Sequence, residues 1–426
     1  MGRVAAARPP EPARAASRSR TRRIEEEVLL TAILCLLAFG AVMVYSASSA
    51  STVIRTSGDG TGYLVKYVAY GAAGFVVLRL LARMRLQLVL AATGPLLAVA
   101  LACLLLVKVP GIGVSVNGAR RWLGVGPLQF QPSEVAKLAL ILYGARFLAE
   151  RPRRIRRLAD LAPLGLVAAT AVALIASQPD LGTSLVICFT LGAMLAAAAL
   201  PMRWLGGLAM AGSAIVLLYA ASAPYRRARL TSFLNPWDHA GDAGFQAVQG
   251  QIALGSGGIF GRGLGESVQK ILYLPEAHTD FILAVIGEEI GLIGILGLLA
   301  LFVLVAWAGL RIAQQARGRY AALLAAGVTS LIISQATLNV FVVLGIAPLT
   351  GVPLPFISYG STSLVTLLAG VGLLLNVARG GSVHLRAVDS PDARRSRADA
   401  EHIPDRGRGD GGARRAGAGG RRRAAG

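Results

Sequence analysis

Six apolar runs constrain this chain more than any other feature: Val28–Ala47, Leu88–Val107, Leu161–Ser177, Leu181–Leu200, Leu205–Ser222 and Phe281–Leu310. A helix needs about 20 apolar residues to cross about 30 Å of hydrocarbon, and several of these runs reach that length. Inside lipid every backbone N–H and C=O must be paired within its own segment, so such runs are helices. The short alternating segments of a membrane β-barrel are absent. Composition agrees, with 54% hydrophobic and 15% charged residues, where a soluble domain carries about a quarter charged residues. The sequence therefore predicts an all-α polytopic membrane protein of about ten transmembrane helices. The spans fall near 28–48, 63–81, 87–107, 133–149, 161–177, 181–200, 204–222, 281–310, 320–345 and 356–379. One large extracytoplasmic loop, 223–280, separates helices 7 and 8.

Charge sets the orientation. With the N-terminus inside, the short inner connectors hold Arg79, Arg83 and Arg85, then Arg146 and the arginines of 151–157, then Arg203, then Arg311, Arg317 and Arg319. This is the positive-inside pattern, and an even number of spans returns the C-terminus to the cytoplasm. The chain divides into a disordered basic cytoplasmic N-tail (1–27), a transmembrane domain (28–380) and a disordered basic cytoplasmic C-tail (381–426). The net charge of +21 comes mostly from arginine, and both tails are rich in Gly, Pro and Ala and poor in aromatics. Tails of this kind beside a bilayer have anionic lipid as their partner rather than nucleic acid. The first span follows three glutamates and is longer than a signal-peptide core, so it is read as a retained helix. Cys35, Cys103 and Cys188 lie in apolar runs and fit neither a zinc site nor a disulfide framework.

Two outer loops break the charge pattern. Residues 108–133 contain Lys108, Arg120 and Arg121, and 223–280 contains Arg226, Arg227, Arg229, Arg262 and Lys270. Cations kept on that face point to an anionic ligand. The stretch Gly255–Gly265 is glycine-rich and could bring backbone N–H groups to a phosphate, although it lacks the Walker lysine and any βαβ setting. Asp280 sits where the long loop enters the membrane. A partly desolvated carboxylate there is a candidate base; the alternative is a helix N-cap. Glu288 and Glu289 lie about 12 Å further along the helix, too far from Asp280 to form the close carboxylate pair of a retaining glycosidase, and are read as supports for a basic residue. Glu134 and Lys137, three apart on the fourth span, share a face. That lysine could neutralise Asp280 or a phosphate, or simply pair with its glutamate. Asp180 caps the sixth span or supports the outer turn Gln178–Thr183, and His278 is a candidate proton carrier or a loop hydrogen-bonder. No HExxH, GxSxG or cysteine–histidine pair is present.

Several ordered motifs add to this. Asn117–Leu123, Gln131-Pro132-Ser133-Glu134 with Lys137, Gln178–Thr183, Ser232–Trp237, Tyr273–Phe281, Gly287-Glu288-Glu289 and Pro355–Gly360 together resemble the SEDS family (shape, elongation, division and sporulation proteins), and within it the FtsW branch. The resemblance covers about residues 28–380; Ser361-Thr362-Ser363 departs from the family's usual glycine-containing sequence after Tyr-Gly. It implies a ten-helix fold and a peptidoglycan glycosyltransferase that polymerises lipid II at the division septum of the bacterial cytoplasmic membrane. It also implies partnership with a class B penicillin-binding protein and other division membrane proteins. Asp280 takes the place of the family's essential aspartate, the general base, with undecaprenyl pyrophosphate leaving. Arg120, Arg121 and Lys137 are candidates to clamp pyrophosphate, with Glu134, Glu276 and His278 beside the substrate. No motif binds a cofactor, and a divalent cation, magnesium or manganese, is compatible with the chemistry. The competing readings are a lipid II flippase, a RodA-like elongation polymerase and a non-enzymatic division scaffold.

Overall fold

The computed structural model describes residues 11–383 except 57–59, 117, 126–127, 152–157, 222–226, 228–230, 242–243 and 272. The helices are α1 (Glu11–Thr56), α2 (Gly62–Arg83), α3 (Leu86–Leu106), α4 (Pro132–Glu150), α5 (Ala162–Ala176), α6 (Leu181–Ala197), α7 (Met202–Ala221), α8 (Phe245–Gly257), α9 (Ile282–Gln315), α10 (Arg319–Val343) and α11 (Ser361–Ala378). Each of the ten expected spans overlaps one of these helices, and α8 lies within the long connection. Among the described residues seven helices are long and apolar enough to cross a membrane, and α6 and α7 contain shorter apolar stretches. The molecule is an integral membrane protein. Helix α4 is less apolar, yet most of it is buried in the bundle, where Glu134 and Lys137 pair at 2.9 Å.

Helices α10 and α11 form the centre. Helix α11 is buried from end to end, packed on α2, α10 and α4, while α10 also packs on α6, α4 and α9. Helix α1 lies along α9, and α3 along α4.

Four features differ from the sequence reading. The chain is not wholly helical: the loop after α3 forms an antiparallel meander of β1 (Gly113–Val116), β2 (Ala119–Val125) and β3 (Leu128–Phe130). Val, Trp, Leu and Phe favour a pleated, half-buried surface, which the short loop provides. Residues 11–27, expected as tail, are the first turns of α1; the remaining tail residues, 1–10 and 384–426, lie outside the described residues. The tenth span starts at Ser361 rather than 356, because residues 345–360 form a non-helical strap with Gly345, Gly351 and Phe356 at positive φ. Finally, α9 is not continuous: Gly291 has φ +74 and ψ −164, which breaks it into 282–290 and 292–315. Such backbone angles are essentially confined to glycine.

Candidate active site

The strap is the hub around which the site is built. Gly351 approaches the Asp280 carboxylate so closely that a Cβ there would lie 3.2 Å from Oδ2. Asp280 is half-buried and stands one residue before the N-cap of α9, Phe281, which makes no side-chain capping bond. Asn339 of α10 fixes the backbone on both sides of this approach. Its Nδ2 donates to the Asp280 carbonyl at 2.8 Å and to the Val352 carbonyl at 2.7 Å. Both amide hydrogens are then used, and Oδ1 is buried with no partner among the described residues.

One turn earlier Gln335 does the corresponding work. Its Nε2 donates to the Pro353 carbonyl at 3.0 Å, and its Oε1 accepts from Lys137 Nζ at 2.9 Å. Lys137 and Glu134 are both 2% exposed, so the charge pair is deeply desolvated and holds only with close geometry. Glu134 Oε2 and Ser133 Oγ are buried without a partner among the described residues. A continuous polar chain thus runs from Glu134 through Lys137, Gln335 and the strap to Asn339 and Asp280.

The strap's other edge meets α6. Gly182 lies against Thr350 and Val352 with no room for a Cβ. Just before it Asp180 caps α6, with Oδ1 accepting from Thr183 N at 3.1 Å. Arg121 donates through Nε to the Gln178 carbonyl at 3.0 Å and through Nη2 to the Pro179 carbonyl. It therefore ties the β-hairpin to the turn before α6. Arg120 is exposed, and the register of β2 against β1 slips at Arg121, where Val114 pairs with Trp122 and Ser115 with Arg120, so the strict alternation of faces is broken between the two arginines.

His278 stacks with Tyr63 and Tyr359 at ring-centroid distances of 4.4 and 5.9 Å, and its carbonyl accepts from Tyr359 N. Burial lowers the His278 pKa, opposed by the Glu276 carboxylate. Burial, then Tyr70 and Tyr63, pushes the Tyr359 hydroxyl up to about 12. Glu276 is exposed at φ +53 and accepts from Thr279 Oγ1 at 2.9 Å.

Glu288 and Glu289 do hold basic residues, but these come from the long connection rather than a neighbouring helix. Glu288 accepts from Ser267 Oγ at 2.6 Å and faces Arg262 at 3.6 Å; Glu289 pairs with Lys270 at 2.7 Å. The glycine-rich stretch spends its backbone on the broken helix, with Arg262 N and Gly263 N donating to the Glu288 and Glu289 carbonyls at 3.0 and 2.9 Å. Those N–H groups are not directed at a phosphate. Among the described residues no group of three or more His, Cys, Asp or Glu converges.

Gln335 and Asn339 escaped the sequence reading. The available signal was two amides four residues apart within an apolar span, since polar groups at that depth find partners across helices.

Residues 27–382 match the FtsW/RodA/SpoVE family, described as cell cycle protein. The chain is 38% identical over 360 residues to a probable peptidoglycan glycosyltransferase FtsW of Geobacter sp. (strain M18), covering 84% of this chain and 98% of that one. It is 39% identical over 362 residues to stage V sporulation protein E of Bacillus subtilis (strain 168), with the same coverage of 84% and 98%. Among solved structures it is similar to a chain of a peptidoglycan synthase complex described as coordinating polymerization and crosslinking, with TM-score 0.68, 32% identity and coverage of 82% and 96%. The rod shape determining protein RodA of Thermus thermophilus gives TM-score 0.60 at 30% identity, covering 82% and 95%.

Proposed function

The chain belongs to the FtsW/RodA/SpoVE family of cell cycle proteins, and from that premise we propose that it is a peptidoglycan glycosyltransferase polymerising lipid II, with Asp280 as general base. The GlcNAc 4-hydroxyl of one lipid-linked sugar attacks the anomeric carbon of the other. Asp280 takes the hydroxyl proton as the C–O bond forms, and undecaprenyl pyrophosphate departs with the electron pair of the broken bond. Pyrophosphate leaves readily when cations stabilise it, so no second carboxylic acid is required. One displacement inverts the donor carbon.

The observation that carries this reading is the Asp280 carboxylate beside Gly351, its backbone held by Asn339. Lys137, paired with Glu134, braces the strap through Gln335; Arg120, exposed on the hairpin, is a cation available to pyrophosphate, and Arg121 donates to carbonyls. His278, with its lowered pKa, serves as a neutral neighbour, and Glu276 stands at the rim. The orientation that suits this chemistry has both termini cytoplasmic and Asp280 outside, with the septum as the working location. The likeness to one chain of a synthase complex that couples polymerization with crosslinking supports a class B penicillin-binding protein as partner.

The test is polymerisation of labelled lipid II by purified protein in detergent, where transport across a bilayer has no meaning. Asp280→Asn is expected to fold normally and to lose about 10²-fold or more of the rate, the usual contribution of a general base. Polymerisation at the wild-type rate by that variant would refute the assignment.

A further inference from the structure

Below Asp280, at the break in α9, three buried polar side chains meet from three different elements. Lys270 of the long connection donates from Nζ to Glu289 Oε1 at 2.7 Å, to Ser46 Oγ at 3.1 Å and to the Gly265 carbonyl at 2.7 Å. An ammonium has three donors, and all three are used. The Ser46 hydroxyl of α1 accepts from the lysine and in turn donates to the Glu289 carboxylate at 2.6 to 2.7 Å. Lys270 is 4% exposed and Glu289 1%. Replacing a buried pair of this kind with apolar side chains is often neutral or stabilising, so its value here is one of position rather than strength.

What it positions is the half-helix 282–290. This piece is about 13 Å long at 1.5 Å per residue, and Asp280 stands just before it. Residues 282–289 are all buried. At its far end the break at Gly291 frees backbone groups that the connection takes up. Arg262 N and Gly263 N donate to the Glu288 and Glu289 carbonyls, while Leu292 N and Ile293 N donate to the Gly258 and Ile259 carbonyls. The half-helix is therefore hinged to the span by one glycine and fastened at the hinge by the connection and α1.

Building on the assignment of Asp280 as base, we propose that Ser46, Lys270 and Glu289 form a latch of positioning residues that fixes the half-helix against α1 and thereby sets the location of the Asp280 carboxylate. The latch governs turnover and leaves lipid II binding unchanged.

Full-length Ser46→Ala, Ser46→Thr and Lys270→Met are purified in detergent, assayed with labelled lipid II and melted from the same samples. Misplacing a reacting group by about 1 Å costs about 10²-fold, so Ser46→Ala and Lys270→Met are expected to lose about tenfold or more in kcat per folded molecule. KM is unchanged, and Ser46→Thr, which keeps the hydroxyl, retains the wild-type kcat. Should Lys270→Met fail to fold, Ser46→Ala alone decides. A folded Ser46→Ala with wild-type kcat, or a rise in KM at constant kcat, overturns the latch. Asp280→Asn run alongside separates the two ideas. If it is inactive while Ser46→Ala is fully active, only the latch fails; if it is active, the base assignment fails and the latch with it.

Discussion

Asn339 shows how much one side chain can carry. Its two N–H donors hold the carbonyls of Asp280 and Val352, so Asn339→Ala strands two acceptors at once. Leaving buried polar groups unpaired costs about 1–3 kcal/mol each; the variant is expected to melt earlier and polymerise more slowly, measurable by thermal unfolding beside a lipid II assay. His278 gives a pH signature. Burial lowers its pKa below the usual 6.5, so in the window just under that value the unfolded chain binds more protons than the folded one. Stability therefore rises with pH through the window and is lost as the pH falls. Melting from about pH 5 to 7.5 is expected to show this slope, and His278→Gln to flatten it. At this scale Asp280 was legible, because a carboxylate at the edge of an apolar run stands out. Asn339 was not, since its role lies in carbonyls of distant segments. The tie of Arg121 to two carbonyls was not legible either, because they are created by the turn at Gln178 and Pro179.

Among the elements, α9 departs most from its sequence. Phe281–Leu310 reads as one apolar run, and nothing in its periodicity marks Gly291 as a break. The break exists because the connection supplies backbone partners at Gly258, Ile259, Arg262 and Gly263, a long-range fact that local pattern does not hold. Gly291→Ala is expected to destabilise the protein by about 1–3 kcal/mol, since a side chain at these backbone angles is strained. A Cβ would also meet the backbone of Ile259 and Gly261. A lowered melting temperature checks it, and an unchanged one would mean that the helix straightens at no cost. The meander of β1 to β3 was missed for the converse reason: its strands are three to seven residues long, and helix-forming runs dominate on either side.

For the whole molecule, hydrophobicity and arginine placement were enough to indicate the helices and a topology. How the helices close around the strap was beyond reach, because that depends on Gly182, Gly351 and the amides of α10 meeting in space. The topology has a direct test. Phe260, in the long connection, is 80% exposed; a cysteine there, in a background lacking Cys35, Cys103 and Cys188, is expected to react with a membrane-impermeant thiol reagent added to intact cells. Labelling only after lysis would invert the arrangement. The divided α9 has a further consequence for where glycan is made. Its lower piece, 292–310, measures about 28 Å at 1.5 Å per residue, already the thickness of the oily slab. If the lower piece fills the slab, the upper piece stands like a post above it and raises its aspartate to the height of phosphates and sugars. A strand assembled at that level can keep its prenyl foot in oil and grow sideways into water, with no sugar ever submerged.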